Sequence, residues 1–261
     1  MREGAAWRGG APFLSVVIPV FDEEASVEPL HRELAQALDK IPGEAEIILV
    51  DDGSRDGSLA RMRELAQRDP RVRVLALDGN YGQTAALDAG FRAARGEVVA
   101  TLDGDLQNDP ADLPRLLALL DRADVVSGIR TRREDGLVRR LSSRIGNGFR
   151  NWVTRESVTD VGCSIRVMRR SYLTRVKLFR GMHRFLPTLL RLEGARLAEI
   201  PVGHRPRVHG RSKYGIANRL FAGLADVFAV RWMQSRVLRY RAEELRAGEV
   251  AADQPPARTT R

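Results

Sequence analysis

Short apolar runs alternate with amphipathic stretches over the first half of the chain. The apolar runs predict strands at 14–20, 46–50, 72–77, 97–102 and 124–128. Between them, apolar residues recur three and four apart, which predicts helices at 27–38, 59–67, 84–94 and 113–120. This alternation is typical of βαβ units, so it predicts an α/β fold with a mainly parallel central sheet flanked by helices.

The pattern changes after residue 130. It predicts a helix at 137–153, a strand at 164–168, a helix at 185–192 and a strand at 196–202, followed by a long amphipathic helix at 216–234. We therefore expect an N-terminal extension at 1–12, a main domain at 13–215, an amphipathic segment at 216–240 and a disordered tail at 241–261. A membrane-spanning helix and a signal peptide are not expected, because no apolar run is long enough or suitably placed.

Composition and charge narrow the class of protein. With 261 residues, 43% hydrophobic and 30% charged, the chain is expected to be globular. A single cysteine, Cys163, excludes an internal disulfide and suits a reducing cytosol. The net charge of +9 is unevenly distributed, since residues 1–129 hold 14 Lys and Arg against 23 Asp and Glu, whereas residues 130–215 hold 21 against 6. The basic block predicts nucleic acid, an anionic membrane or a phosphorylated substrate as partner, and the acidic first half counts against nucleic acid.

Acidic residues follow three of the predicted strands. Asp22 and Glu23 follow the first strand, Asp51 and Asp52 the second, and the segment 103–107 with two more aspartates the fourth. In an open parallel sheet these positions meet at the edge where ligands bind. Clustered carboxylates repel one another unless hydrogen bonds, a cation or a ligand offsets the repulsion. The alternative for each acid alone is capping, by Asp51 or Asp52 in a turn and by Asp109 before Pro110.

Seven motifs together resemble a known family. They are IPVFDEE at 18–24, VDDGSRDGS at 50–58, NYGQTAALDAG at 80–90, TLDGDLQNDP at 101–110, SGIR at 127–130, DVGCSIRVMRR at 160–170 and RVHGRSKYG at 207–215. In this order they resemble the inverting family 2 glycosyltransferases, and within them the polyprenyl-phosphate group typified by dolichol-phosphate mannose synthase. The resemblance implies the GT-A fold, the nucleotide-diphospho-sugar transferase architecture, with 13–215 as its catalytic domain.

The resemblance implies a role for each motif. It places five residues around the base and ribose of the donor nucleotide: Pro19, Val20, Glu23, Asp51 and Asp52. Carboxylates that accept ribose or base hydrogen bonds form the stronger, charge-assisted kind. Asp22 stands where the family more usually has Asn, which offers a donor that Asp lacks.

The segment 103–107 resembles the metal motif of the family. Alternate residues of an extended segment point the same way, so Asp103, Asp105 and Gln107 are expected to converge on one cation. Oxygen ligands suit Mg²⁺ or Mn²⁺. The resemblance also makes Asp103 and Asp105 catalytic residues.

The basic block resembles the part of the family that binds phosphates. Arg130, Arg144, Arg166, Arg207 and Lys213 fall where the family places cations around the donor diphosphate and the acceptor phosphate, and Ser212 belongs to the same loop as the last two. Arg207 and Lys213 are therefore expected to be catalytic. Most other basic residues, including Arg169 and Arg175, are expected to be solvated.

The implied reaction moves mannose, glucose or an aminoarabinose-type sugar from a nucleoside diphosphate to undecaprenyl or dolichyl phosphate. A lipid phosphate, with a second pKa of about 6, is largely dianionic at neutral pH, so a general base is not required. One alternative is a family 2 enzyme that acts on a sugar hydroxyl. A second, from another class, is a basic nucleic-acid-binding protein, which lacks the interleaved aromatic residues that stacking would need.

The segment 216–234 is expected to lie at a membrane surface. Apolar residues (Leu220, Phe221, Leu224, Phe228, Trp232) share it with Arg219, Asp226 and Arg231. The alternative is a helix packed on the domain or on another copy. We expect a peripheral protein at the cytoplasmic face of the cytoplasmic membrane, in contact with anionic lipid, and the sequence leaves open a membrane-protein partner or a homo-oligomer.

Overall fold

The computed structural model describes residues 12–130, 137–206, 216–238 and 240, with side chains except at 137–145 and 216–222. The strands are β1 (Leu14–Val20), β2 (Ala45–Asp51), β3 (Val72–Ala76), β4 (Val98–Thr101), β5 (Val125–Arg130), β6 (Arg166–Arg169) and β7 (Leu197–Val202). The helices are α1 (Glu24–Leu38), α2 (Ser58–Arg68), α3 (Gln83–Ala93), α4 (Leu113–Leu117), α5 (Leu137–Thr154), α6 (Arg170–Leu173), α7 (Leu186–Leu192) and α8 (Ile216–Ser235). The expected extension at 1–12 and tail at 241–261 fall outside the described residues, except for Pro12.

The seven strands form one sheet in the order β3-β2-β1-β4-β6-β5-β7. β1 pairs in parallel with β2 and β4, β2 with β3, and β5 with β7, whereas β6 is antiparallel to both of its neighbours. The carboxyl ends of β1, β2, β4 and β5 therefore lie at one edge of the sheet, together with the start of β6. The mainly parallel α/β fold is confirmed.

Helices cover both faces of the sheet. On one face the side chains of Ile18 and Ile47 pack against Leu34 of α1, Met62 of α2 and Leu116 of α4. The buried residues of α1 include Leu30, Leu34, Ala37 and Leu38, which recur three and four apart on one side of the helix.

The other face packs against α3, α6 and α7. Val17 of β1, Phe91 of α3 and Leu190 of α7 belong to one buried hydrophobic cluster. A Cβ atom on Gly90 would lie 2.3 Å from Cγ1 of Val17, so glycine at this position allows α3 to approach the sheet closely.

α5 and α8 pack together beside the sheet. Val227 and Val230 of α8 are buried with Phe185 and Leu189, and Phe149 of α5 packs against this cluster. In the part of the chain that the structure describes, no helix is long and apolar enough to cross a bilayer.

Candidate active site

The end of β2 carries two buried aspartates, Asp51 and Asp52, each at most 3% exposed. Pairing with β1 fixes their height, because Val20 is opposite Asp51 and the Val20 carbonyl accepts the backbone N–H of Asp52 at 2.9 Å. Pro19 is opposite Val50. The side chain of Val20 is itself buried in the core, so Val20 offers its backbone rather than its side chain to this edge.

Asp52 organises the loop that follows β3. Its carboxylate accepts backbone N–H groups from Tyr81 at 2.8 Å and from Gly82 at 2.9 Å, and its carbonyl accepts Nδ2 of Asn80 at 3.1 Å. Burial raises the pKa of Asp52, and these two backbone hydrogen bonds act in the opposite direction. Gly82 has φ +88°, a conformation that glycine adopts without steric cost.

Asp51 differs from its neighbour in its hydrogen bonding. Its Oδ2 accepts the N–H of Ser54 at 3.3 Å. Its Oδ1 is buried and has no hydrogen-bond partner among the described residues. A buried acceptor without a donor is costly, so an N–H or O–H group of a bound ligand would satisfy it.

Asp22 and Glu23 shape the turn after β1. Asp22 has φ +48°, and its Oδ1 accepts the N–H of Arg55 at 2.7 Å. Asparagine could accept the same hydrogen bond, so this contact does not require a carboxylate. Glu23 is buried at the start of α1, and its N–H donates to Ser58 Oγ at 2.8 Å.

Asp103 and Asp105 lie after β4 at the same edge. Oδ1 of the half-buried Asp103 accepts Nε2 of Gln83 at 2.8 Å. Burial and then the negative charge of Asp105 raise the pKa of Asp103, while the positive charges of Arg166 and Arg130 lower it. The two carboxylates are thus close enough to repel each other.

The segment 103–107 is a turn, so the expected extended conformation is wrong. Leu106 has φ +63° and a buried side chain, and the N–H of Gln107 donates to Asp105 Oδ1 at 3.2 Å. Nε2 of Gln107 lies 3.3 Å from the carbonyl of Arg205. A left-handed non-glycine residue costs on the order of 1–3 kcal/mol, and burial of the Leu106 side chain offsets it.

The donor set at this turn fits a hard divalent cation. Two carboxylates repel each other, and a cation between them would relieve that repulsion. Within the described ranges, no group of three or more His, Cys, Asp and Glu side chains could hold a metal. Asp103 and Asp105 would therefore supply part of a coordination sphere, as Mg²⁺ sites commonly do when substrate phosphates and water complete the shell.

Arg130, at the end of β5, is fixed by an aspartate. Its Nε and Nη2 donate to the two carboxylate oxygens of the buried Asp160, both at 2.8 Å. Burial lowers the pKa of Arg130, but the hydrogen bonds and the negative charge of Asp160 act in the opposite direction, and the pKa is raised overall. Asp160 begins the sequence motif at 160–170, but its pairing with Arg130 was not predicted.

Arg166, at the start of β6, is 4% exposed. It donates to the carbonyls of Val161 at 3.0 Å and His183 at 3.3 Å and to Ser127 Oγ at 3.4 Å. Burial lowers its pKa. Its positive charge acts on Asp103 and lowers the pKa of that carboxyl group. The side chain of Arg144 and the whole of Arg207, Ser212 and Lys213 fall outside the described residues.

Asp109 and Cys163, both named from the sequence, have structural roles. Asp109 accepts the N–H of Ala111 at 3.0 Å, which confirms the predicted cap. Cys163 is fully buried in the core, and burial raises the pKa of its thiol to about 11, so it is a packing residue.

Arg150 of α5 is buried although arginine is normally placed at the surface, and its Nη2 donates to the Val158 carbonyl at 2.9 Å.

Comparison with known proteins agrees with this geometry. The family model of Glycosyl transferase family 2 matches residues 15–176. The chain is 41% identical over 235 residues to the dodecaprenyl-phosphate galacturonate synthase of Rhizobium johnstonii, which covers 88% of this chain and 68% of that protein. It is 44% identical over 207 residues to the undecaprenyl-phosphate 4-deoxy-4-formamido-L-arabinose transferase of Edwardsiella ictaluri, with 78% of this chain and 63% of that protein covered.

The chain spans about two thirds of the length of these relatives. Among solved structures, it resembles the glucosyl-3-phosphoglycerate synthase of Mycobacterium tuberculosis in complex with Mn²⁺, UDP-glucose and phosphoglyceric acid, with a TM-score of 0.65, 21% identity, and coverage of 87% of this chain and 81% of that one. This likeness shows the GT-A fold. The chain belongs to glycosyl transferase family 2 and is a glycosyltransferase.

Proposed function

We propose that the enzyme transfers a sugar from a nucleoside diphosphate to a polyprenyl phosphate with inversion at the anomeric carbon. An oxygen of the lipid phosphate forms a bond to C1 of the sugar as the bond from C1 to the donor diphosphate breaks. The names of the two relatives, a dodecaprenyl-phosphate and an undecaprenyl-phosphate transferase, support this acceptor class.

The observation that carries the proposal is the placement of two carboxylate pairs at one edge of the sheet. Asp51 and Asp52 lie at the end of β2, and Asp103 and Asp105 follow β4. Gly82 contacts Asp52 and Gln83 contacts Asp103, so the start of α3 lies beside one member of each pair. In this proposal, one pair binds the nucleoside and the other binds the cation beside its diphosphate.

The nucleoside contacts follow from hydrogen-bond capacity. The unpartnered Oδ1 of Asp51 is the acceptor for a ribose hydroxyl or a base N–H group. Pro19, Val20 and Glu23 border the same edge through β1 and the turn after it. Asp52 holds the loop between β3 and α3 through Tyr81 and Gly82, which keeps this loop in place beside the proposed nucleoside site.

Asp103, Asp105 and Gln107 would hold Mg²⁺ or Mn²⁺. When bound, the cation neutralises negative charge on the departing nucleoside diphosphate. Solved structures of the mycobacterial neighbour contain Mg²⁺ or Mn²⁺ together with UDP.

The basic residues are proposed to bind the phosphates. Asp160 engages Nε and Nη2 of Arg130 and fixes the direction of the guanidinium, so a phosphate would bind at its Nη1 edge. Arg166 supplies buried positive charge near Asp103. For Arg144, Arg207, Ser212 and Lys213, the proposal rests on the sequence motifs.

A surface formed by α5 and α8 is proposed to meet anionic lipid at the cytoplasmic face of the membrane. Trp152 of α5 and Phe228 and Trp232 of α8 are 77%, 57% and 62% exposed, although α8 also packs on α5. The Phe149 ring contacts both Trp152 and Phe228, with centroids 6.3 and 6.4 Å apart, so the two helices share one aromatic surface. Exposed aromatic rings beside basic side chains are typical of proteins that bind the headgroup region.

A donor and acceptor panel tests the function. Purified enzyme is incubated with radiolabelled UDP- and GDP-sugars, Mn²⁺ or Mg²⁺, and either undecaprenyl or dolichyl phosphate. We expect one donor to label the lipid, and we expect Asp103→Asn and Asp105→Asn to lower turnover by at least about 100-fold.

The matched control is Asp88→Asn, because Asp88 lies on the exposed side of α3 and pairs with Arg92. This variant should keep full activity. Transfer to a sugar hydroxyl with no labelling of either lipid phosphate would contradict the proposal.

A further inference from the structure

Residues 80–84 connect separate parts of the candidate site. Backbone N–H groups of this loop hold the carboxylate of Asp52, as described above. The next side chain, Gln83, donates to Oδ1 of Asp103 at 2.8 Å. Thr84 then contacts Nδ1 of His183 through its hydroxyl at 2.7 Å. One short segment therefore touches the nucleotide side, the cation side and the segment before α7.

Gln83 has the chemistry to orient a ligand carboxylate. Its amide donates a hydrogen bond without adding positive charge, so it can hold Oδ1 of Asp103 without competing with a cation for charge. An unheld carboxylate would rotate among several orientations, and cation binding would have to select one.

The backbone that carries Gln83 is itself fixed. Thr84 is buried, and its hydroxyl accepts the N–H of Gly181 at 3.1 Å. Gly90, two turns further along α3, packs directly on Val17 of β1. The amide of Gln83 thus extends from a rigid helix, which is the requirement for precise positioning.

We propose that Gln83 is a positioning residue that holds Asp103 in the orientation that accepts the divalent cation. This inference rests on the proposed cation site at Asp103 and Asp105. By this inference, α3 contributes to cation binding through Gln83, which lies outside the motif at 103–107.

Direct measurement of Mn²⁺ binding tests the inference without relying on turnover. Free Mn²⁺ is followed by electron paramagnetic resonance during titration of the full chain, with Mn²⁺ alone and with UDP or GDP added. Gln83→Met keeps the length of the side chain and removes the donor, and Gln83→Asn keeps the amide on a shorter side chain. Gln67→Met on α2 is the control, because Gln67 is exposed and distant in sequence from the site.

We expect Gln83→Met and Gln83→Asn to weaken Mn²⁺ binding by about tenfold, the factor for losing one hydrogen bond to a charged group. Gln67→Met should bind Mn²⁺ as the parent does. Thermal unfolding of each variant in the absence of Mn²⁺ identifies any variant that is misfolded, and the remaining Gln83 variant then decides the outcome.

Two results would overturn different parts of the argument. Parent-like Mn²⁺ affinity in a folded Gln83 variant, with binding lost in Asp103→Asn, would overturn the role of Gln83 and leave the proposed cation site intact. Equal Mn²⁺ binding by the parent and Asp103→Asn, or no binding by the parent with either nucleotide, would overturn the cation site and the inference together.

Discussion

Asp51 and Asp52 are adjacent and equally buried, yet their carboxylates have different surroundings. Asp52 accepts two backbone N–H groups from the loop before α3, whereas Oδ1 of Asp51 has no partner among the described residues. The first arrangement stabilises the fold, and the second leaves binding capacity for a ligand. Both residues were predicted to contact the nucleotide from the same motif, and the structure distinguishes what each can offer.

Substitution by asparagine should separate these two roles. Asp52→Asn should lower the free energy of unfolding by about 1–3 kcal/mol, because an amide nitrogen would face backbone donors. Asp51→Asn should change stability little and weaken UDP or GDP binding by about tenfold. Thermal unfolding and calorimetric titration measure the two effects. Equal loss of stability in both variants would contradict the distinction.

Asp69, at the end of α2, makes stability depend on acid pH. Burial alone would raise the pKa of Asp69, but hydrogen bonds from Arg71 and His31 lower it to about 2. A carboxyl group with a lowered pKa in the folded state contributes stability above its unfolded pKa of about 3.9, and this contribution is lost as the pH falls towards 2. The contribution is about 2 kcal/mol.

Asp69→Asn should therefore be less stable than the parent near neutral pH, and this difference in stability should decrease in acid. We expect the difference in unfolding free energy between the parent and Asp69→Asn to shrink by about 2 kcal/mol between pH 5 and pH 2, measured by urea unfolding. Asp88→Asn, which removes an exposed pair with Arg92, should show a much smaller change. A difference that is constant with pH would exclude this account.

At the scale of elements, the segment after β7 is tied to the cation turn. The N–H of Arg205 donates to the carbonyl of Gln107 at 2.9 Å, and its guanidinium contacts Glu33 of α1 at 2.7 Å and Asp109 at 2.8 Å. Asn108 and His204 form an antiparallel bridge at the same place. Residues 204 and 205 therefore lie next to the turn that carries Asp103 and Asp105.

The motif at 207–215 follows these residues in the sequence, and its resemblance to the family's phosphate-binding segment predicts a role in transfer. Arg207→Ala and Lys213→Ala should each lower kcat/KM by at least about 100-fold, because they leave charge on the departing diphosphate unpaired. Arg175→Ala is the control. The guanidinium of Arg175 lies 5.7 Å from the centre of the Tyr172 ring and outside the site. Similar kcat/KM values for all three variants would show that the motif has no part in catalysis.

Hydrophobic pattern predicted the elements better than their directions or contacts. β1 begins and ends where expected because its residues form one apolar run that is buried along its length. The predicted helix at 113–120 is an α-helix only over Leu113–Leu117, with 3₁₀ turns on both sides. The direction of β6 was not predictable, since alternation of apolar residues is the same for parallel and antiparallel strands.

Site prediction failed where a residue acts through a distant partner. Asp103 and Asp105 stand out because acids after a strand are unusual in a core. Gln83 resembles any residue at a helix start, and its contact with Asp103 depends on how α3 packs on β1. Arg150 was missed because an arginine in an amphipathic helix is normally exposed, whereas here it is buried.

At the scale of the whole molecule, α5 combines basic residues in its sequence with an exposed aromatic ring near its end. The first half of α5 carries Arg139, Arg140 and Arg144, and its last turn carries the exposed ring of Trp152. Each basic residue near an anionic bilayer contributes about 1 kcal/mol, and aromatic burial adds a term that salt does not screen. The aromatic surface of α5 and α8 should therefore bind by two separable contributions.

Vesicle sedimentation measures both contributions. The protein should bind vesicles that contain anionic lipid, release partly in high salt, and release further when Trp152, Phe228 and Trp232 are changed together to Ser. Phe13→Ser is the control, because Phe13 is partly exposed directly before β1 and belongs to neither α5 nor α8. Unchanged vesicle binding by the triple variant at every salt concentration would exclude this surface.

The segment needed for folding extends beyond the segment that matches the family model, because β7 lies after the end of that match. The family match ends at residue 176, but β7 pairs with the whole of β5, from Val125 opposite Leu197 to Arg130 opposite Val202. A protein truncated at residue 176 would expose β5 as an open edge of hydrophobic residues, and such edges recruit other chains. A shortened enzyme would thus be prone to aggregation, with Arg130 on the strand that had lost its neighbour.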